Sequence, residues 1–248
     1  MSLLTPEHLV RFRELGHVTV PGVFAPEQMD EIIQDIYGWG EEVLADLPPG
    51  QRAWYVDGGV KARTVLRKLD NPHHHREAVR KLAFEPRLVA MVEGMIGAGV
   101  SVYFSQIFFK APEGGGPKPA HQDNYYFGPN DLDGMVTAWV ALDDATVENG
   151  CMYFGEGSNS GPVIAHVAPA EEPFNLQIPG AELAKHRMTP APVPRGGVSF
   201  HHGSTIHQSG PNLSTRWRRA CALHYVNHDT FFEHPALPYD HALKLKIT

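Results

Sequence analysis

From Gly99 onward the chain breaks into short apolar pieces. "VSVYFSQIFFK", "MVTAWVALDD", "CMYFGEG", "GGVSFHH" and "RRACALHYVNH" are rich in Val, Tyr, Phe and Cys, with turn-forming residues between them. Such a series does not fit a helix bundle; it predicts antiparallel strands in a barrel or sandwich. The high Gly (24) and Pro (21) counts agree with a turn-rich β architecture. No flexible linker or internal repeat interrupts the 248 residues, so a single domain over 1–248 is expected. Residues 99–248 form its barrel, with a long Gly- and Pro-rich excursion between strands at about 155–195.

Residues 1–98 read mostly as helix and make the fold class mainly β with a helical preface that braces the barrel. Thr5 followed by Pro6 is an N-cap and a first-turn proline, and Leu9, Phe12 and Leu15 follow at near-helical spacing until Gly16. "HVTVPGVF" is extended. A second helix carries Met29, Ile32, Ile33 and Ile36 on one face and ends before "PPG" at 48–50. The Arg- and aromatic-rich stretch from Gly50 to His75 reads as a loop over a site, and two short helices broken at Pro86 follow.

The formal net charge of −7 gives no reason to expect nucleic-acid or anionic-membrane binding. Cys151 and Cys221 form no Cys-x-x-Cys pair, which argues against a disulfide framework or a cysteine zinc site. "MSLLTPEHLVRF" lacks the pattern of a secretory signal, and no run approaches the roughly 20 apolar residues of a membrane span. A soluble, cytoplasmic protein acting on a small molecule is expected.

Within "PAHQDNYYFG", His121 and Asp123 are two residues apart. In a strand, i and i+2 share a face. An imidazole and a carboxylate together suit a divalent first-row metal such as iron. A third ligand is sought in "HHGSTIHQSGPNLSTRWRRACALHY", which offers His201, His202, His207 and His224. His201 and His202 are adjacent and face opposite ways if both lie in one strand. Arg216, Arg218 and Arg219 open the last of these strands. A buried guanidinium needs an anionic partner, and its planar fork suits a carboxylate. A dicarboxylic cosubstrate that reaches from metal to arginine satisfies both.

"AHQDNYYF", "DATVENGCMYFGEGS" and "GGVSFHHGSTIHQSGPNLSTRWRRACALHY", in this order, resemble the phytanoyl-CoA dioxygenase family of iron(II)- and 2-oxoglutarate-dependent oxygenases. "FRELGHVTVPGVFAPEQMDEI" resembles that family's opening, so the likeness spans nearly the whole chain. It implies a double-stranded β-helix, a jelly-roll or cupin-like barrel. It also implies Fe(II), 2-oxoglutarate and O2 as cofactor and cosubstrates, with release of succinate and CO2. By the resemblance His121, Asp123 and His207 are the iron ligands, and Arg218, aided by Ser209, holds the far carboxylate of 2-oxoglutarate. Trp139, Lys110, Tyr103 and Gln106 match cosubstrate-side positions.

Two details refine the expectation. Related halogenases have a small residue where this chain has Asp123, so the carboxylate argues for hydroxylation or another oxidation without halide, such as oxidative ring closure. Where the family often has Gly-Ser-His, the chain reads "GEGSNSG", with Asn159 at the histidine position. Asn124, Tyr125, Tyr126, Trp54, Arg63 and Arg67 are candidate substrate contacts. The resemblance to compact members of the family that tailor sugar-containing antibiotics implies a sugar-containing natural-product intermediate, with which the polar, aromatic loops are compatible. The rival readings are a non-catalytic or regulatory cupin-like protein and a metal-dependent isomerase or hydrolase on the same barrel. His73–His75 are expected to face solvent, and His166, His186, His228, His234 and His241 have no evident partner.

Overall fold

The structure is a computed structural model that describes residues 3–57, 65–170 and 175–248. Helix α1 (Pro6–Leu15) starts as its sequence dictates: the Thr5 hydroxyl accepts the His8 N–H, and Pro6 sits where no N–H is needed. Gly16 ends it at φ 78°, and a Cβ there would also collide with Thr205. Strand β1 (His17–Val20) and helix α2 (Pro26–Asp46) follow, and α2 buries Met29, Ile32, Ile36 and Gly40 along one stripe. The expected loop from Gly50 holds short elements instead: α3 (Arg52–Tyr55), β2 (Val56–Asp57), β3 (Val65–Leu66), β4 (Lys68–Asp70) and α4 (Pro72–His75). Helices α5 (Glu77–Ala83) and α6 (Pro86–Ile96) break at Pro86.

The remaining elements are β5 (Val100–Lys110), β6 (Lys118–His121), α7 (Asp123–Phe127), β7 (Met135–Ala141) and β8 (Met152–Gly155). After them come α8 (Gly180–Leu183), β9 (Met188–Ala191), β10 (Val198–His202), β11 (His207–Ser209), β12 (Arg218–Asn227) and β13 (Leu245–Lys246). The larger antiparallel sheet runs β1-β10-β7-β12-β5-β13, with β4 also on β5; the smaller runs β6-β11-β8-β9. No ladder joins the two among the described residues. With a long α2 and two further helices packed on it, the fold is mixed α/β of double-stranded β-helix type rather than a mainly β closed barrel.

The large sheet is buried on both faces, and alternation divides its side chains. Val136, Ala138, Val140, Phe200, Leu223 and Tyr225 join Met29, Ile36, Val79, Leu88 and Val92 of the helices in one core. The intervening residues, including Thr137, Trp139, His201 and His224, face the smaller sheet. Within the expected 155–195 excursion, β9 pairs with β8; Pro190 is tolerated because β9 is the outermost strand. The Asn159 amide donates to the Arg13 carbonyl (3.0 Å) and ties its turn to α1. Among the described residues no helix is long and apolar enough to cross a membrane.

His73 departs from expectation. It is buried, with Nδ1 2.6 Å from Ser105 Oγ and Nε2 2.9 Å from the Leu243 carbonyl. Only His74 and His75 of the run are exposed. The three share one turn of α4, and this docks its first histidine on β5.

Candidate active site

β6 and β11 are neighbours, and their register sets His121 opposite His207. Gln122 follows β6 in extended conformation, and Asp123 is already the first residue of α7. His121 and Asp123 are therefore brought together at a strand-to-helix corner, not by alternation within one strand. The Gln122 side chain fixes that corner by donating to the Ser204 carbonyl (2.7 Å) and accepting from the Ile164 N–H (2.8 Å). One ligand atom from each of His121, Asp123 and His207 lies within 4.8 Å of the others, and all three residues are buried. Asp123 Oδ1 is 3.7 Å from His121 Nε2 and 3.6 Å from His207 Nε2.

The protons in this cluster can be assigned from the partners. His121 Nδ1 is 2.8 Å from the Pro119 carbonyl and His207 Nδ1 is 2.9 Å from the Thr205 carbonyl. Carbonyls only accept, so both imidazoles carry hydrogen on Nδ1 and leave a bare Nε2. Burial lowers the pKa of both below the usual 6.5 and keeps them neutral. Burial alone would raise Asp123, but the nearby His207 and His224 and hydrogen bonds from His201 and His224 outweigh it and hold the carboxyl well below 3.8. Three proton-free acceptors thus converge in a buried space. They repel one another unless a cation lies between them, and a His-Asp-His donor set suits iron(II).

Arg218 occupies the same cavity, which has a volume of ≈ 390 Å³. Only 2% exposed, its guanidinium lies 5.5 Å from the Trp139 ring, its Nε has no hydrogen-bond partner, and no salt bridge reaches it among the described residues. Burial pushes its pKa down to about 9. Lys110, also buried, is pushed well below 10.5 by burial and by Arg218; it donates to the Gly116 carbonyl. Two adjacent buried cations at one wall call for an anionic ligand. Arg219 faces away and pairs with Asp143 at 2.7 and 2.9 Å, while Arg216 is exposed. Ser209, Gln106, Trp54, Arg67 and Tyr126 line the cavity with the residues above.

Other expected contacts fall outside it. Tyr103 is the extra residue of a bulge in β5 and stacks 3.6 Å from Phe232, so it is packed rather than cavity-lining. Asn124 is buried away from the cavity, donating to Ser204 Oγ (2.8 Å) and the Leu132 carbonyl (2.9 Å). Tyr125 stacks on His166 at 4.0 Å, and His166 Nε2 accepts the Gln122 N–H at 3.0 Å. His166 lies in an irregular segment, as expected, but is buried and partnered. Arg63 lies outside the described residues. Thr137 and Tyr239, which no sequence motif singles out, also line the cavity, together with His201 and His224 from the set that offered a third ligand. For His201 a signal existed: of two adjacent strand histidines one must face inward, and His202 instead reaches Asp133 (3.0 Å) on the other side.

Residues 12–220 match the phytanoyl-CoA dioxygenase family. Phytanoyl-CoA dioxygenase domain-containing protein 1 of Rattus norvegicus is 27% identical over 269 residues, covering 91% of each chain. The non-heme alpha ketoglutarate dependent carbocyclase SnoK from nogalamycin biosynthesis shares the fold, with a TM-score of 0.78 at 22% identity over 100% of this chain and 99% of its own. The epimerase SnoN, solved with Fe3+, alpha ketoglutarate and nogalamycin RO, has a TM-score of 0.72 at 26% identity, covering 93% of this chain and 86% of its own.

Proposed function

We infer, for a chain that belongs to the phytanoyl-CoA dioxygenase family and is an iron(II)- and 2-oxoglutarate-dependent oxidoreductase, that its substrate is a small ring-bearing metabolite of the class of sugar-containing natural-product intermediates. The reaction is hydroxylation or oxidative ring closure. The observation that carries this reading is the convergence of three proton-free donors in one cavity with an arginine that meets no carboxylate among the described residues. When bound, iron and 2-oxoglutarate supply oxygen-activating chemistry that oxidises an unactivated C–H bond and releases succinate and CO2.

The chain's own residues have distinct tasks. His121, Asp123 and His207 hold the metal, two as neutral donors and one as an anion. Arg218 receives the far carboxylate of 2-oxoglutarate, with Ser209 and Trp139 on the same wall and Lys110 adding positive potential. The Asp123 carboxylate occupies the position a halide would need. On the substrate side, the aromatic rings of Trp54, Tyr126 and Tyr239 stand near the planar polar groups of Gln106 and Asp70, a mixture that suits a hydroxylated ring. Tyr239 joins this wall from the segment that follows β12. Cys151 and Cys221, buried and unpaired, suit a reducing cytoplasmic setting.

Anaerobic addition of iron(II) and 2-oxoglutarate is expected to give a weak visible charge-transfer band; its absence with metal bound would overturn the assignment of this cavity. Arg218→Ala removes a buried charged partner, worth about 2–5 kcal/mol, and is expected to raise the 2-oxoglutarate requirement by about 30-fold or more. Arg219→Ala, whose partner is Asp143, is expected to leave that requirement near normal. The substrate itself is sought by screening hydroxylated ring metabolites for stimulated succinate release.

A further inference from the structure

The two oxygens of Asp123 have different surroundings. Oδ1 faces the bare Nε2 atoms of His121 and His207. Oδ2 accepts from Thr137 Oγ1 at 2.6 Å and from His201 Nε2 at 3.2 Å. Thr137 Oγ1 is also 2.8 Å from His224 Nδ1. A hydroxyl has one proton, and an ionised carboxylate can only accept. Thr137 must therefore spend its proton on Asp123 and accept from His224, so the hydrogen bonds run one way from His224 to Thr137 to Asp123. His201, Thr137 and His224 are also direct cross-strand partners on β10, β7 and β12. They form one row on the inner face of the large sheet, and all are buried.

We propose that Thr137, set between His201 and His224, is a positioning residue that keeps Asp123 Oδ2 occupied, so that the carboxylate offers the metal a single oxygen, Oδ1. This rests on reading Asp123 as a metal ligand. A one-oxygen carboxylate holds the protein to three donor atoms and leaves room for a chelating cosubstrate and one further ligand. Freed from Thr137, the carboxylate could turn and offer both oxygens, taking up one of those positions.

The test uses the full chain and metal alone, before any substrate is known. Iron(II) affinity, the visible spectrum of the cobalt(II)-loaded protein and the iron(II)–2-oxoglutarate band are compared in wild type, Thr137→Val and Thr137→Ser. Valine keeps the shape and loses the hydroxyl; serine keeps the hydroxyl. Thr137→Val is expected to bind iron(II) about 10- to 100-fold more weakly, the usual effect of losing an outer-shell partner, and to shift both spectra. Thr137→Ser is expected to stay within about threefold of wild type, well short of that outer-shell loss. Wild-type affinity and spectra in Thr137→Val would overturn the proposal. So would an equal loss in Thr137→Ser, since packing of the methyl would then be the cause. Thr137→Ala replaces the valine variant if that fails to fold. Asp123→Ala is the control: if it too keeps wild-type affinity, the reading of Asp123 as a ligand fails, not the role of Thr137 alone.

Discussion

His207→Ala is expected to abolish turnover and to weaken iron(II) binding by more than about 100-fold, beyond the range typical of outer-shell changes. The reason is the proton assignment. The Thr205 carbonyl fixes hydrogen on Nδ1, so the only role left for buried Nε2 is to donate its lone pair. Alanine removes one of three donors and leaves His121 and Asp123 as an incomplete set. His202→Ala supplies the contrast. It deletes an imidazole five residues away in sequence that packs near Phe12 and donates to Asp133 on the opposite face of β10. Iron binding in that variant should stay within a few-fold of wild type, far from the loss expected of a ligand. Equal losses in both would show that the wrong histidine had been assigned. Neither side chain belongs to the core beneath the large sheet, but His202 packs near its member Phe12, so circular dichroism of both variants precedes the comparison of iron binding.

Much of the architecture was legible because apolar character is concentrated in the strands that need it. β5, β7 and β12 lie between helices on one face and the second sheet on the other, so their Val-, Phe- and Tyr-rich runs stand out. β9 was hidden by Pro190 and its weakly buried sequence, which only an edge strand accepts. The Tyr103 bulge left no mark either, since a bulge looks like any other residue of an aromatic strand. At the site, motif order and resemblance pointed to His121, Asp123, His207 and Arg218, and the structure brings these four to one cavity. The row His201, Thr137 and His224 was not legible in this way, because it exists only across three strands whose pairing no local pattern announces. Asn124 and Tyr125 follow Asp123 directly in sequence, yet the turn of α7 sends both side chains away from the cavity.

The metal-free protein is expected to lose stability steeply as pH falls below about 6.5, the ordinary histidine value. Burial lowers His73, His166 and His201 from 6.5 to about 4, with Leu243, Ile164 and Asp123 respectively offsetting part of the effect. The sign follows from proton uptake. Between pH 6.5 and 4 the unfolded chain protonates these histidines and the folded chain does not, so acid favours unfolding; above pH 6.5 both states are neutral there and the dependence vanishes. Each histidine contributes up to roughly 1.4 kcal/mol per pH unit inside this window, so three acting together approach about 4 kcal/mol per unit. Against a typical total of about 5–15 kcal/mol, a drop from pH 6.5 to 5 would remove roughly 5 kcal/mol, from about a third of the margin upward. Asp123 adds nothing in that range, since its lowered pKa withdraws stability only below about 3.8. Urea unfolding between pH 7.5 and 5 measures the slope. His73→Gln, at a position remote from the metal cluster and held by Ser105 and Leu243, should flatten it by about one proton. A flat profile in the wild type would mean that these imidazoles take up protons while folded. An unchanged slope in His73→Gln would remove His73 from the account and leave the acid sensitivity to His166 and the histidines around Asp123.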